Sequence, residues 1–306
     1  MPRTSFDALL EAGAHFGHLK RKWNPNIAPY IFGDKGGIHI IDLNKTLVKL
    51  EEAAGAMKQI AKSGRTILFV ATKKQAKAIV HEATKDINFP CVTERWTGGM
   101  LTNFATIRRS VRKMADMNKM ATDGTLDVLS KKERLQISRQ RDKLEHQLGT
   151  IANMTRLPAA VFVVDIIKEH IAISEARKLN IPTFAIVDTN SDPNKVDFAI
   201  PANDDSSTSI RIVVQTLVNA IKEGIEERKE AQATNKLAEG REHDREEGGE
   251  VDIISPKYAE DEEEVVTEGG TTNKPKPHPH GGGQRKRTGG GGAPGAGGQR
   301  RGPVKR

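Results

Sequence analysis

Thr66-Ile67-Leu68-Phe69-Val70 is a nearly continuous apolar run. It reads as a strand with helices covering both faces of its sheet. Ala160-Val161-Phe162-Val163-Val164 repeats the pattern and reads as the central strand. Working outward, a helix is expected from near Lys73 to about Ala83, then a short strand at Pro90-Cys91-Val92. Helix 168–179, strand 183–187, short strand 198–200 and helix 206–225 continue the series. Upstream, Ser5 caps a short helix over 5–13 with Phe6, Leu9 and Leu10 on one side. Residues 14–37 read as irregular, aromatic and basic. Ile38-His39-Ile40-Ile41 is a short strand, and Asp42 or Asn44 caps a helix to about Lys62. Such βα alternation implies an α/β fold, a mostly parallel sheet with right-handed crossovers.

Residues 103–156 break this rhythm. Phe104, Ile107, Val111 and Met114 keep a spacing of three to four. Ile137, Arg141, Leu144, Leu148 and Ile151 do the same, with one arginine intruding. Thr122-Asp123-Gly124-Thr125 separates the two runs, so two helices of about 18 and 22 residues folded back on each other are expected. Arg95-Trp96-Thr97-Gly98-Gly99-Met100-Leu101-Thr102-Asn103 leads into this pair. A seam so thin leaves much of the pair's surface exposed, so it projects from the sheet as a rod.

The net charge of +8 averages three different blocks. Residues 1–225 carry 33 Lys/Arg against 24 Asp/Glu, 226–270 carry 6 against 16, and 271–306 carry 9 basic groups and no acidic one. From Gly269 onward almost nothing is apolar, and Glu246-Glu247 and Asp261-Glu262-Glu263-Glu264 mark the acidic block. Segments like these cannot recover the entropy of ordering through burial, so both are expected to be disordered in isolation. His278 and His280 alternate with proline there, a weak metal signal. The organisation expected is a body of 1–102 with 157–228, an inserted hairpin of 103–156 and a tail of 229–306. The lone Cys91 excludes an internal disulfide and a cysteine metal cluster. Met1-Pro2-Arg3-Thr4-Ser5 opens without an apolar run, and no stretch approaches a membrane span, so neither a signal peptide nor a membrane is expected. The cytoplasm is the default location.

Between Arg95 and Glu145 stand 12 Lys/Arg and 6 Asp/Glu, densest at Arg108-Arg109, Arg112-Lys113, Lys131-Lys132 and Arg139 with Arg141. On an exposed rod such groups can follow a phosphate backbone, or they are only the solvated face of a helix pair. Lys20-Arg21-Lys22-Trp23 joins cations to an aromatic ring that either stacks on an unpaired base or anchors a loop. Arg95-Trp96 shares that ambiguity, although Gly98-Gly99 permits close backbone approach, to RNA or to the sheet. Lys73 and Lys74 follow a parallel strand, where a phosphate could bind. The chain has no GxGxxG or GxxxxGK[ST], so nucleotide chemistry has weak support.

His15 and His18 lack nearby acid or cysteine companions in sequence, which favours packing or hydrogen bonding over metal ligation. Asp188-Thr189-Asn190-Ser191-Asp192-Pro193, Asp197 and Asp204-Asp205 admit three roles. They cap helix 206–225 and fix turns, hold a structural Mg²⁺, or do acid–base work. No catalytic constellation accompanies them, and neither a cofactor nor an enzyme is implied.

The chain resembles the bacterial second small-subunit ribosomal protein family. The likeness rests on His15-Phe16-Gly17-His18, Trp23-Asn24-Pro25, Tyr30-Ile31-Phe32-Gly33, Ile38-His39-Ile40-Ile41, Arg95-Trp96 and Gly98-Gly99-Met100-Leu101-Thr102-Asn103. Pro182, Ala185-Ile186-Val187-Asp188-Thr189-Asn190-Ser191-Asp192-Pro193, Val196-Asp197-Phe198, Pro201 and Asn203-Asp204-Asp205 complete it, over roughly residues 3–225. Thr97, Thr150 and Thr155 depart from the family pattern locally, and the tail exceeds the usual family length. The resemblance implies a flavodoxin-like sheet with an inserted coiled-coil hairpin, in a non-enzymatic component of the 30S subunit. It further implies contact with the head–body region of 16S rRNA and docking of neighbouring proteins, including the large first small-subunit protein, near the mRNA exit. On that basis Lys20, Arg21, Lys22, Lys73, Lys74, Arg95, Arg108 and Arg109 are candidate rRNA contacts, and the reading of the residues themselves adds Trp23, Trp96, Asn103, Arg112, Lys131 and Lys132. Asp188, Asp204 and Asp205 are the weaker cation alternative.

Overall fold

The computed structural model describes residues 3–247. Five strands form one parallel sheet: β4 (Ile67–Val70), β5 (Cys91–Val92), β6 (Ala160–Val164), β7 (Thr183–Val187) and β8 (Phe198–Pro201), in the spatial order β5-β4-β6-β7-β8. Every residue of β4, β6 and β7 is buried, as continuous apolar runs require when both faces are covered.

The alternation of side chains sorts the core into two layers. Phe69, Phe162 and Phe184 point to one face, against α2 (Leu43–Lys62), α3 (Lys74–Ile87) and α7 (Ser207–Glu247). Phe69 and Phe162 are cross-strand partners with ring centroids 5.4 Å apart and planes tilted 54°, a favoured aromatic geometry. Leu68, Val70, Val161, Val163, Ala185 and Val187 point to the other face. There α6 (His170–Lys178) covers only part of the layer, and Trp96, Met100, Leu101, Ile107, Leu148 and Ile151 complete it. The crossover from β5 to β6 therefore does more than connect. Its loop fills the core, and its two helices, α4 (Phe104–Thr122) and α5 (Lys131–Leu148), leave from there.

Three expectations are corrected. Residues 14–37 are not irregular throughout. β1 (Phe16–Leu19), β2 (Ile31–Lys35) and β3 (Ile38–Ile41) form a separate antiparallel sheet in the order β1-β3-β2. Gly36 and Gly37, both at positive φ, close the tight hairpin between Lys35 and Ile38. That two-glycine turn matches the right-handed twist of strands on either side. α5 stops at Leu148, 18 residues rather than about 22, and a 3-10 turn over Gly149–Ile151 follows. α7 continues well past 225 to Glu247, through a Glu-, Lys-, Arg- and Ala-rich stretch of high helix propensity. The rest of the tail, with His278, His280 and its basic end, lies outside the described residues.

The loop after β7 ties the small sheet to the large one. The His18 amide donates to Thr189 Oγ1 at 2.7 Å, and the Asn24 amide to the Thr189 carbonyl at 2.8 Å. Gly17 makes this approach sterically feasible. A Cβ there would stand 2.5 Å from Thr189 Cγ2 and 3.1 Å from the His39 carbonyl oxygen. Thr189 is buried and β-branched and has nowhere to swing. Gly17→Ala is expected to lower stability by about 1–3 kcal/mol in chemical denaturation.

Candidate functional site

The loop that opens the helix pair is held by one side chain. Glu175, on α6 and 6% exposed, accepts five hydrogen bonds from it. Oε1 takes Trp96 Nε1 at 3.1 Å and the Gly99 amide at 2.7 Å. Oε2 takes the Leu101 amide at 3.0 Å, with the Thr102 amide and hydroxyl each at 3.1 Å. Burial alone would raise the Glu175 carboxyl, but donors from Thr102, Gly99, Trp96 and Leu101 outweigh it and hold the group below its ordinary value. Trp96 is thereby corrected as an RNA contact: it is buried, and its indole N–H is engaged by Glu175. Gly99, at positive φ, turns its amide to Glu175, whereas Gly98 is exposed with open space around it.

Beyond this clamp α4 and α5 carry the expected cations. Arg109, Arg112, Lys131 and Lys132 have no ion-pair partner among the described residues, and the same holds for Arg95 in the loop. Arg108 is different, since its Nη1 donates to the Thr155 carbonyl at 2.5 Å and ties α4 to the chain returning from α5. Asn103 is exposed, and its Oδ1 accepts from the Thr106 hydroxyl at 2.8 Å. Ser130 and Glu133 form a reciprocal capping box that fixes the start of α5. The seam beneath is thin: Ile107, Met114 and Met117 are buried on α4, but only Leu148 on α5.

In the N-terminal loop, Arg21, Lys22 and Trp23 are exposed, whereas Lys20 pairs with Asp34 at 2.6 Å. Trp23 leans on His39 with ring centroids 5.0 Å apart, leaving its other side open. Lys74 is exposed at the start of α3.

Lys73 differs from the exposed cations, being largely buried among three carboxylates. Its ammonium lies 2.7 Å from Asp204 Oδ1, 2.6 Å from Asp205 Oδ1 and 3.6 Å from Asp165 Oδ2. Burial works against its charge, but Asp204 and Asp205 raise the Lys73 pKa above the ordinary value. Nor do these aspartates cap α7. The Asn203 carbonyl oxygen of the side chain takes the Asp205 and Ser206 amides, and Ser206 Oγ takes the Ser209 amide. Sequence also hid the companions of His18. Nδ1 stands 3.0 Å from Asp188 Oδ2 and Nε2 3.5 Å from Asp205 Oδ2, across 170 and 187 residues of chain. His15 instead packs on Phe16, ring centroids 4.0 Å apart, and burial lowers its pKa.

A family model for "Ribosomal protein S2" matches residues 9–224. The chain belongs to the ribosomal protein S2 family. It is 64% identical over 229 residues to the small ribosomal subunit protein uS2 of Phocaeicola vulgatus, covering 75% of this chain and 82% of that one. The uS2 protein of Bacteroides thetaiotaomicron is 62% identical over the same shares of each chain. That of Azobacteroides pseudotrichonymphae is 62% identical over 228 residues, 74% of this chain and 87% of its own. As a family member the chain is a structural ribosomal protein of the translation machinery, not an enzyme.

In this ribosomal protein one further group has the makings of a metal centre. His18, Asp188 and Asp204 each offer a ligand atom within 4.8 Å of the others. Asp188 Oδ2 faces only His18 Nδ1, and Asp204 Oδ2 is buried without a hydrogen bond among the described residues. Burial, with Asp188 beside it, pushes Asp204 up to about 7, while Asp188 raises His18 above its ordinary value. One imidazole and two carboxylates suit zinc better than magnesium.

Two outcomes are expected. Glu175→Gln, with one acceptor oxygen in place of two, lowers stability at neutral pH by at least about 2 kcal/mol. Because the folded Glu175 pKa is depressed, its stabilisation is complete above the unfolded value of about 4.3 and is lost as pH falls through the folded value. Denaturation at a series of pH values therefore shows the gap between wild type and Glu175→Gln closing in acid. Zinc added to the full chain at about pH 7.5 raises the Tm, and less so as acid protonates Asp204 and His18. Asp204→Asn removes most of that rise, and an undiminished rise would rule out this donor set.

Proposed function

We propose that the chain is an architectural constituent of the small (30S) subunit, gripping the head–body region of 16S rRNA with its helix pair and its 20–23 loop. It acts in the cytoplasm, within the ribosome, and helps dock neighbouring small-subunit proteins, including the large first small-subunit protein, near the mRNA exit. The observation that carries this reading is the set of unpartnered cations on α4 and α5 in a chain of this family. Phosphate contacts of this kind position a protein on RNA without reading its sequence. Arg21, Lys22, Trp23, Lys74, Arg95, Asn103, Arg109, Arg112, Lys131 and Lys132 form the contact set. Lys20 and Arg108 join it at its margin, and Lys73 and Trp96 leave it.

The division of labour follows the fold. The body, 1–102 with 157–228, is flavodoxin-like, which the sheet order β5-β4-β6-β7-β8 supports: second, first, third, fourth, fifth among the parallel strands. The arm, 103–156, is a coiled-coil hairpin, supported by the burial of Ile107, Met114 and Leu148 at helical spacing. The tail, 229–306, brings a basic end, 271–306, that meets rRNA or messenger. No helix among the described residues is long and apolar enough to cross a membrane.

Binding of a 16S rRNA fragment at several salt concentrations tests the arm. Arg109→Glu with Arg112→Glu is expected to weaken binding and to reduce the slope of log affinity against log salt by about 0.9 for each duplex phosphate left without its cation. The Tm of the body should hold. Unchanged affinity and slope in a folded variant would remove α4 from the interface.

A further inference from the structure

A cavity of about 590 Å³ opens at the N-terminal edge of the large sheet, where the chain returns from α5. Its size is that of pockets that hold a small organic ligand. Its chemistry is mixed in a particular way. Arg65 and Arg156 are exposed at it, Asn88 and Asn153 supply amides, and Phe89 and Leu157 supply apolar wall. No carboxylate stands among the described residues that line it. Arg156 has no ion-pair partner among the described residues, and Arg65 reaches only the Ser63 hydroxyl, at 3.3 Å.

Each of these groups has a counterpart in a nucleotide. An aromatic or aliphatic wall takes the face of a base, side-chain amides pair with its edge, and arginine pairs with phosphate. A neutral sugar would leave the charge of the two arginines unmatched, and a fatty acid would leave most of the amides unpaired. The cavity also adjoins the arm. Thr155, which lines it, is the residue whose carbonyl receives Arg108 of α4.

We propose that this cavity is a nucleotide site, seating a base against Phe89 and Leu157 with its phosphate toward Arg65 and Arg156. It rests on the RNA-binding reading for its preferred source, an unpaired nucleotide of the rRNA. A free mononucleotide has the same chemistry and is the other source.

The experiment uses the full chain, amide-labelled for NMR, titrated with AMP, with hexaadenylate, and with an abasic hexamer of equal charge. Hexaadenylate is expected to shift the Asn88, Phe89 and Asn153 amides and to bind roughly tenfold more tightly than the abasic chain, as base stacking adds affinity. Arg65→Gln with Arg156→Gln should weaken hexaadenylate at least about fivefold, with an unchanged Tm. Shifts at the same amides with AMP as strong as with the hexamer support the site and assign it to free nucleotide. If hexaadenylate and the abasic chain bind equally and these amides stay still, the site is overturned while the arm's RNA binding stands. If no RNA binds at all, the RNA-binding reading fails, and AMP alone decides the cavity: shifts support it and none overturn it.

Discussion

The Glu175 carboxylate, buried beneath five donors from the 96–102 loop, is the constraint on which the rest depends. A β-to-α crossover would ordinarily cover the second face of the sheet with a helix. Here the crossover sends its helices outward, and an irregular loop must cover the sheet instead. Irregular backbone in a core is costly unless its amides find acceptors. Glu175 supplies two oxygens to three amides, an indole and a hydroxyl. Trp96, Met100 and Leu101 can then pack as a helix face would. The arm begins two residues after the last of these bonds, so the body fixes where it starts.

The cations of this chain fall into two groups that composition cannot separate. Lys73 is locked among Asp165, Asp204 and Asp205, Lys20 is matched by Asp34, and Arg108 is bound to a backbone carbonyl. Lys73 and Arg108 join separate elements, while the exposed Lys20 pair adds little. Arg95, Arg109, Arg112, Lys131 and Lys132 reach solvent with no ion-pair partner among the described residues. A rod with so few buried residues cannot be justified by its own packing, since only Leu148 is buried on α5. Its stability comes from the anchored base, where Ile107 and Leu148 join the core of the body.

Continuous apolar runs are the most readable signal in a sequence, and β4, β6 and β7 were legible for that reason. The helix pair was legible from its 3–4 spacing. The small antiparallel sheet was hidden because β1 and β2 are short and only half buried, so their alternation is weak. Gly36-Gly37 was the available clue. The site was harder to see. Trp96 among basic residues admits an RNA contact or a core anchor, and only the position of Glu175, 79 residues away, decides between them. The acid partners of His18 are likewise brought near by topology, through loops following parallel strands, and no local pattern announces them.

The most direct test asks whether the clamp, rather than charge alone, delivers the arm to RNA. It is an equilibrium binding measurement of a 16S rRNA fragment to Glu175→Gln, in which every cation is retained, under conditions where the body remains folded. The expected result is weaker binding with a shallower salt dependence, because a loosened arm meets fewer phosphates at once. Wild-type affinity and an unchanged salt dependence from a folded Glu175→Gln chain would contradict the claim that Glu175 sets the interface.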